Sequence, residues 1–336
     1  MALSLEEFLS EWRNESPYVE VKTSGSTGEP KRMMVEKRRM MNSARITCDF
    51  LGLKPGDTAL LCMSLDYIAG KMMVVRAMVR EMELISVEPS GHPMGEILNK
   101  KYKIKNKKYS KQIGLNFAAM VPMQVYNSLQ VPEEKEMLMR IEHLIIGGGA
   151  IDDGMAEQLR EFPNAVWSTY GMTETLSHIA LRQLSGKDAS EWYEPFASVK
   201  VSLNEEECLV IDAPEVCEET LVTNDIAEID ASGTRFRILG RKDNVICSGG
   251  IKIQAEEVER MLKPCLDAPH MISKRPDPKF GEIVVLLTEG DVSEVRKICE
   301  NILPKFQQPK DYVRVDCIPL TETGKPARKE AERLAM

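Results

Sequence analysis

The sequence predicts an α/β protein with a large N-terminal domain and a small α+β C-terminal domain. Short apolar segments alternate with helical patterns along the first half of the chain, which is typical of a mostly parallel sheet covered on both faces. From Val199 to Phe236 the pattern changes to short alternating strands with turn residues, which indicates a small antiparallel subdomain. The length of 336 residues exceeds a typical single domain and also favours two domains.

The elements are expected in the following order. Leu5, Phe8, Leu9 and Trp12 lie at helical spacing after the capping-box pair Ser4 and Glu7, which predicts a first helix. Apolar periodicity then predicts helices at 37–53 and 70–79. Short apolar runs predict buried strands at 58–63, 83–87, 117–121, 143–147 and 165–168.

A domain boundary is expected at Lys242 or Asp243, which divides the chain into 1–241 and 242–336. In the second part, helices are predicted at 255–262 and 292–303, and strands at 282–288 and 312–318. This pattern describes a small α+β domain.

Composition narrows the class of protein. The net charge of -8 argues against a general binder of nucleic acid or of anionic membranes. The eight cysteines show no CxxC pair and no zinc-like spacing with the four histidines, which predicts reduced thiols in a cytoplasmic protein. No apolar run reaches the roughly 18 to 20 residues of a membrane helix, and the N-terminal residues lack the pattern of a signal peptide.

A loop rich in glycine and hydroxyl residues follows the apolar pair Val19 and Val21. Glycines let backbone N–H groups turn toward a ligand, hydroxyls add donors and a lysine adds a positive charge, so this loop predicts a polyphosphate site. It is not a Walker loop, because Gly-Lys-Ser/Thr is missing. A simple surface turn remains the alternative. The loop reads Thr23-Ser24-Gly25-Ser26-Thr27-Gly28-Glu29-Pro30-Lys31.

Further segments accompany this loop in a fixed order. They are Ser168-Thr169-Tyr170-Gly171-Met172-Thr173-Glu174, Asp225, Gly240-Arg241-Lys242-Asp243, and Thr321-Glu322-Thr323-Gly324-Lys325. This ordered set resembles the adenylate-forming superfamily, which comprises acyl-CoA synthetases, nonribosomal adenylation domains and luciferases. The resemblance covers nearly the whole chain, from about Val19 to Arg328. It implies an enzyme that uses ATP, Mg²⁺ and, in the CoA ligases, CoA.

The resemblance implies a role for each matching residue. The loop residues Thr23, Ser24, Gly25, Ser26, Thr27, Gly28 and Lys31 would cover the β- and γ-phosphates. Thr173 would contact the α-phosphate and Glu174 would help to bind magnesium. Asp225 would accept hydrogen bonds from the ribose hydroxyls beside Arg241, and Lys325 would bridge the reacting carboxylate and the α-phosphate. Tyr170 would stack on the adenine, and Thr169 and Gly171 would help to bind the nucleotide. Gly147, Gly148 and Gly149 lack side chains, so the adenine could lie flat against their backbone.

The glycine triplet at 147–149 has a second interpretation, a tight strand-to-helix turn. The family rotates its mobile small domain between half-reactions, and Asp243 matches the hinge position. After rotation, Ser248, Gly249 and Gly250 would line the tunnel for the CoA pantetheine.

The choice of acid rests on the segment that follows the predicted strand at 58–63 and leads into the predicted helix at 70–79. Ser64 to Lys71 with Arg76 resembles the substrate-side helix of short bacterial o-succinylbenzoate–CoA ligases of menaquinone synthesis. Tyr67, Lys71 and Arg76 are candidates to bind the unreacted carboxylate. The family pattern has histidine where this chain has Tyr67, and tyrosine can still donate a hydrogen bond.

Several alternatives stay open. Another aryl- or acyl-CoA ligase, a stand-alone adenylating domain, or a non-catalytic nucleotide-binding protein would share these motifs. Only 22 residues precede Thr23, whereas the superfamily carries a further subdomain there, and a homodimer could fill the gap beside the acyl pocket. Lys100 to Lys111 contains seven lysines, which form either a solvated loop or a basic rim for anionic substrates.

Overall fold

The computed structural model describes residues 3–22, 32–99, 114–151, 153–321 and 325–336. The chain forms two compact units. The first unit contains 1–201, 211–221 and 230–236, and the second contains 202–210, 222–229 and 237–336. The predicted boundary at Lys242 stays a prediction.

The first helix, α1 (Leu5–Arg13), begins as the sequence predicts. Ser4 is its N-cap, and its hydroxyl accepts a hydrogen bond from the Glu7 backbone N–H at 3.2 Å. The Glu7 carboxylate accepts in return from the Ser4 N–H at 2.8 Å. This reciprocal capping box satisfies two N–H groups that a helix start leaves open.

The first unit is built from alternating strands and helices. Its helices after α1 are α2 (Lys37–Leu51), α3 (Ile68–Val79), α4 (Pro93–Asn99), α5 (Pro122–Gln130), α6 (Pro132–Leu138) and α7 (Asp153–Arg160). Its strands are β1 (Tyr18–Lys22), β2 (Arg32–Glu36), β3 (Thr58–Leu61), β4 (Glu83–Ser86), β5 (Phe117–Met120), β6 (His143–Ile146), β7 (Ala165–Gly171), β8 (His178–Gln183) and β9 (Glu194–Pro195).

The main sheet has seven strands in the order β4-β3-β5-β6-β7-β8-β9. The pairs from β4 through β7 are parallel, and β8 and β9 are antiparallel. Each parallel strand contains buried apolar residues, because helices cover both faces of such a sheet. Their burial confirms the α/β expectation: every residue of β5 is buried.

The five predicted strands of this sheet are all present, and so are the two predicted helices. The predicted helix at 37–53 ends at Leu51 because Gly52 adopts φ 67° and caps it. Helices α4 to α7 were not predicted, because each has only seven to nine residues and so carries a short apolar pattern.

A separate four-stranded sheet follows in the order β10 (Lys200–Leu203), β11 (Cys208–Asp212), β12 (Leu221–Ile229) and β13 (Phe236–Arg241). The four-residue connection from β10 to β11 is too short for a parallel crossover. Sequential pairing with short connections agrees with the predicted small subdomain.

The C-terminal part has one five-stranded sheet and three helices. Its strands are β14 (Val245–Ser248), β15 (Ile251–Gln254), β16 (His270–Asp277), β17 (Gly281–Thr288) and β18 (Asp311–Arg314). Its helices are α8 (Ala255–Leu262), α9 (Val292–Ile302) and α10 (Arg328–Leu334). The predicted helices match α8 and α9, whereas β18 ends at Arg314 rather than at 318, and β14, β15, β16 and α10 were missed.

Two apolar clusters stabilise this C-terminal part. One packs α8 and α9 on one face of the sheet, with Val258, Leu262 and Leu286 fully buried. The other packs α10 on β16 and β17, with Val285 and Ala331 fully buried. Within the described ranges, no helix is long and apolar enough to cross a membrane.

Candidate nucleotide and acyl-adenylate site

The carboxyl ends of the parallel strands bring several predicted residues to one edge of the main sheet. The loop after β3 leads to Tyr67, the glycine triplet follows β6, and Tyr170 and Gly171 end β7. Ligands of open α/β sheets bind at this edge. This edge of the main sheet therefore holds Tyr67, the glycine triplet and Tyr170, and their contact with a nucleotide stays a prediction.

Local geometry explains why glycine occupies positions of this triplet. A Cβ atom at Gly147 would lie 2.3 Å from the Thr169 hydroxyl oxygen, so a side chain there would displace Thr169. Gly148 has φ 84°, a conformation that favours glycine. The triplet is thus a tight turn that also keeps the backbone close to β7. Its contact with adenine stays a prediction.

The ring of Tyr170 is held by two other aromatic rings. It packs edge-on against Phe236 with centroids 5.1 Å apart, and its centroid lies 5.8 Å from that of Tyr193. The Tyr193 hydroxyl in turn lies 2.8 Å from the Ser168 hydroxyl. The half-buried Tyr170 ring therefore has a fixed orientation, as a stacking surface requires. Tyr193 and Phe236 were missed because they are distant from the motif in sequence.

Thr173 and Glu174 lie on a closed turn between β7 and β8. The Thr175 hydroxyl accepts from the Met172 N–H at 3.1 Å and reaches the Ser177 carbonyl oxygen at 2.7 Å. The Leu176 N–H donates to the Thr173 carbonyl at 2.9 Å. This bonding closes the turn, so Thr173 is half-buried and Glu174 is exposed.

The donor set of this turn fits magnesium. Magnesium takes one or two protein carboxylates and fills its other positions with water and phosphate oxygens. In the part of the chain that the structure describes, no three His, Cys, Asp or Glu side chains form a metal cage. Glu174 on a constrained, accessible turn would hold the ion together with the phosphates.

The three predicted acid-binding residues do not converge on one point. Tyr67 is half-buried at the N-cap of α3. Lys71 is buried, and its Nζ donates to the Glu20 carbonyl at 2.6 Å, with a Glu11 carboxylate oxygen at 3.8 Å. Lys71 therefore connects α3 to β1 and α1.

Arg76 lies deeper in the first unit. Its side chain is fully buried, and Nη2 donates to the Ser177 hydroxyl at 2.6 Å. Burial lowers the pKa of Arg76 to about 10, which leaves the guanidinium charged at neutral pH. A buried guanidinium held by a hydroxyl is a potential partner for an anion.

Asp225 and Arg241 pair directly in the second unit, as the sequence analysis expects. Arg241 Nη1 lies 3.0 Å from an Asp225 oxygen, and Nη2 lies 3.0 Å from an Asp243 oxygen. Gln254 donates to the Arg241 carbonyl at 3.0 Å and was missed by the sequence reading. The predicted hinge residue Asp243 is thus joined to the predicted ribose-binding pair.

Lys325 belongs to the same unit and lies within electrostatic range of Arg241. Its N–H donates to the Thr321 hydroxyl at 3.0 Å, and its carbonyl accepts from the Thr321 N–H at 2.7 Å. These two bonds hold the Lys325 backbone against Thr321. Burial lowers the pKa of Lys325, and the nearby Arg241 charge lowers it further.

The predicted CoA-tunnel residues form the turn of a β-hairpin. Ser248 ends β14, and Gly249 and Gly250 have φ 60° and 84°, which is the type I′ geometry that suits hairpins. The Phe280 ring packs on this turn. The Phe280 carbonyl oxygen accepts a hydrogen bond from the Gly249 N–H at 2.8 Å. The Nζ atoms of Lys279 and Lys310 lie 5.1 Å and 4.8 Å from the Phe280 centroid, which gives the turn a basic border.

The predicted phosphate loop at 23–31 lies outside the described residues, and so does the lysine-rich segment at 100–111. The antiparallel pair β1 and β2 flanks the first of these, with Lys22 opposite Arg32. A backbone β-bridge also links Lys22 to Tyr67, so β1 ends next to the start of α3.

Comparison with known proteins identifies relatives over most of the chain. A 2-succinylbenzoate–CoA ligase of Lactococcus lactis is 21% identical, with 96% of this chain and 72% of the relative covered. The corresponding ligase of Bacillus cereus strain ATCC 10987 is 24% identical, with 93% and 69% covered.

Solved structures with the same fold include o-succinylbenzoate coenzyme A synthetase (MenE) of Bacillus subtilis with ATP and magnesium. It is 21% identical, with a TM-score of 0.73 and 93% of this chain and 69% of that chain covered. An acyl-CoA synthetase (AMP-forming)/AMP-acid ligase II-like protein of Dyadobacter fermentans is 30% identical, with a TM-score of 0.63 and 96% and 91% covered.

A sequence model described as AMP-binding enzyme matches residues 7–220, which is more than half of the chain and includes the turn with Thr173 and Glu174. The chain therefore belongs to the AMP-binding enzyme family.

Proposed function

We propose that this chain is an AMP-forming o-succinylbenzoate–CoA ligase of menaquinone synthesis. The observation that carries the adenylation step is the Arg241–Asp225 pair at 3.0 Å, together with the pKa of Lys325, which burial lowers and the Arg241 charge lowers further. A cation near the proposed ribose-binding pair is suited to stabilise negative charge on a reacting carboxylate and phosphate.

In the first half-reaction, a carboxylate oxygen of the acid attacks the α-phosphorus of ATP and pyrophosphate leaves. Lys325 stabilises the negative charge shared by the reacting carboxylate and the α-phosphate, and Thr173 donates to the α-phosphate. Glu174 holds magnesium, which neutralises phosphate charge. Asp225 fixes the ribose, and the aromatic surface of Tyr170 fixes the adenine.

In the second half-reaction, the CoA thiol attacks the acyl carbonyl and AMP leaves. We assign the pantetheine to the Gly249–Gly250 turn, where a Cβ at Gly250 would have no atom within 4 Å, so close approach is open on that side. The basic border from Lys279 and Lys310 would attract the CoA phosphates. Asp243 would act as the hinge between the two half-reactions.

The acid assignment rests on the relatives and on α3. The ligases named above act on 2-succinylbenzoate, which carries a second carboxylate beside an aromatic ring. Arg76 provides a buried positive charge for an anion, and the Tyr67 side chain provides a hydroxyl at the start of the same helix. Lys71 is better explained as a link between α3 and β1, because its Nζ already donates to the Glu20 carbonyl.

A second candidate is a ligase for a different acid. The Dyadobacter protein is 30% identical to this chain, and its description specifies no acid. This possibility changes only the acyl pocket, since the ATP and CoA steps are the same. A cytoplasmic location also belongs to the proposal, because ATP and CoA are the co-substrates.

The test is pyrophosphate release with ATP, magnesium and single acids: o-succinylbenzoate, benzoate, a medium-chain fatty acid and free amino acids. We expect selective release with o-succinylbenzoate and a CoA thioester after CoA is added. Selective release with another acid would support the second candidate. Release with amino acids and transfer only to a carrier-protein thiol would favour a stand-alone adenylating domain.

A further inference from the structure

A buried chain of hydrogen bonds lies behind the turn that carries Thr173 and Glu174. Arg76 Nη2 lies 2.6 Å from the Ser177 hydroxyl, which lies 3.2 Å from His178 Nδ1. On the far side of the ring, His178 Nε2 lies 3.0 Å from the Thr47 hydroxyl, which donates to the Ser43 carbonyl at 3.1 Å. The chain joins α3, the turn, β8 and α2.

The donors and acceptors of these groups fix one direction for the chain of hydrogen bonds. Arg76 has only donors, so Ser177 must accept from it and can point its own proton at His178 Nδ1. His178 then carries its proton on Nε2 and donates to Thr47. Every hydroxyl in the chain thus accepts one bond and donates another.

This direction requires a neutral imidazole. His178 is buried, and both burial and the Arg76 charge keep its pKa well below the usual value. The other titratable groups around the chain are Cys48 beside Arg76, and the Arg80–Asp49 pair beside Cys48. A protonated His178 would place a donor on Nδ1 against Ser177 and a second positive charge near Arg76.

Ser177 also forms the base of the turn. Its carbonyl oxygen accepts from the Thr175 hydroxyl at 2.7 Å. A Cβ atom at Gly171 would lie 2.2 Å from this same oxygen, so the two ends of the turn are in close contact. A shift of Ser177 would therefore move the segment that holds Thr173 and Glu174.

We propose that Ser177 and His178 are positioning residues that hold the magnesium-binding and phosphate-binding turn from behind, with Arg76 and Thr47 as the fixed ends of the chain. The proposal rests on the proposed adenylation function, in which Glu174 binds magnesium. It assigns Arg76 a role inside the protein in addition to any contact with the acid.

A network that only stabilises the fold would give a different result from one that positions Glu174. Loss of a stabilising hydrogen bond lowers the melting temperature and leaves ligand affinity unchanged. Loss of a bond that orients a metal ligand weakens the metal, commonly by about tenfold to a hundredfold. The informative quantity is the factor by which magnesium lowers the ATP dissociation constant, which we call the magnesium gain.

The experiment measures ATP dissociation constants by calorimetry with and without magnesium, for the wild-type protein and for Ser177→Ala. We expect magnesium to tighten ATP binding in the wild type and Ser177→Ala to lose about tenfold or more of that gain, with magnesium-free ATP affinity unchanged. Ser128→Ala is the matched control: its buried hydroxyl bonds Glu134 at 3.0 Å, away from the turn. It should lose stability and keep the full magnesium gain.

A second variant tests the direction of the chain. His178→Gln keeps a neutral side chain that can donate to Thr47 but cannot take up a proton. In the wild type, the magnesium gain should fall as the pH is lowered into the acid range, and in His178→Gln this fall should be smaller, because only the protonation of ATP itself, which is common to both proteins, remains.

An unchanged magnesium gain in Ser177→Ala, or equal acid dependence in wild type and His178→Gln, would overturn the positioning role. These binding readouts do not need turnover. A wild-type protein that binds MgATP but adenylates no acid would refute the proposed function alone, whereas one without any magnesium gain would refute both.

Discussion

Two lysines with lowered pKa values have opposite surroundings. Lys71 in the first unit is buried, and the carboxylates of Glu11, Glu20 and Asp66 partly offset the effect of burial on its pKa. Lys325 in the second unit is half-buried, and the neighbour that acts on its pKa is a second cation, Arg241. Burial lowers the pKa of both lysines; nearby carboxylates offset this effect at Lys71, whereas the Arg241 charge adds to it at Lys325.

The difference predicts a structural role for Lys71 and a functional role for Lys325. A lysine surrounded by carboxylates and a backbone carbonyl is satisfied within the protein, and its removal mainly affects stability. A lysine placed beside another cation gains most when an anion enters, and such perturbed groups concentrate at functional sites. The comparison predicts which substitutions change catalysis and which change folding.

The largest effect is expected for Lys325→Ala. Removal of the charge should slow pyrophosphate release by about a hundredfold to a thousandfold, because the transition state loses a preorganised cation. Thioester formation from chemically prepared acyl-adenylate should be largely retained. The two half-reactions are measured separately by pyrophosphate release and by loss of the CoA thiol. Equal loss in both would contradict the role of Lys325 and remove the contrast with Lys71.

The next effect is on stability. Lys71→Met should lower the free energy of unfolding by about 1–3 kcal/mol, because the Glu20 carbonyl loses a charged donor in a buried position. Urea unfolding followed by far-UV circular dichroism measures this change. The Michaelis constant for the acid should stay unchanged. A raised Michaelis constant with unchanged stability would place Lys71 in the acyl pocket instead.

A smaller effect concerns His178 and acid. The pKa of His178 is lowered in the folded protein, so at acid pH the unfolded chain binds a proton at this residue that the folded chain does not bind. Stability should therefore fall as the pH drops below about 6.5, by up to about 1.4 kcal/mol per pH unit. Urea midpoints between pH 7 and pH 5 measure the slope, and His178→Gln should lose this part of it. The same slope in both proteins would show that His178 titrates normally.

The smallest effect is expected at the border of the hairpin turn. Lys279→Ala and Lys310→Ala should each raise the Michaelis constant for CoA about twofold to fivefold, as exposed charge pairs contribute little. Pantetheine lacks the phosphates, so its Michaelis constant should not change. Lys297→Ala, another exposed lysine of the same unit, is the control. An equal rise in the Michaelis constant for pantetheine would show that these lysines act through the structure of the hairpin and not through the CoA phosphates.

The sequence predicted the elements that local chemistry determines. The capping box at Ser4, the helices α8 and α9, and the buried strands of the main sheet follow from periodicity and from neighbouring residues. The pairing of Arg241 with Asp225 was also anticipated, because the motifs stand in a known order.

The missed features depend on contacts between distant segments. Tyr193 and Phe236 flank Tyr170 only after the sheet forms. The chain from Arg76 to Thr47 needs α2 and α3 to pack behind β8, and neither helix carries a local signal of that contact. Strands β14 and β15 were missed because their short, mixed pattern surrounds a glycine pair that was interpreted through the resemblance alone.

The most direct test of the account is a competition in a single reaction. The wild-type protein receives ATP, magnesium, CoA and an equimolar mixture of o-succinylbenzoate, benzoate and a medium-chain fatty acid, and mass spectrometry identifies the thioesters formed. The account predicts o-succinylbenzoyl-CoA as the dominant product, with AMP and pyrophosphate in equal amounts. A dominant benzoyl or fatty acyl thioester would contradict the acid assignment, and ATP binding without any thioester would contradict the ligase activity itself.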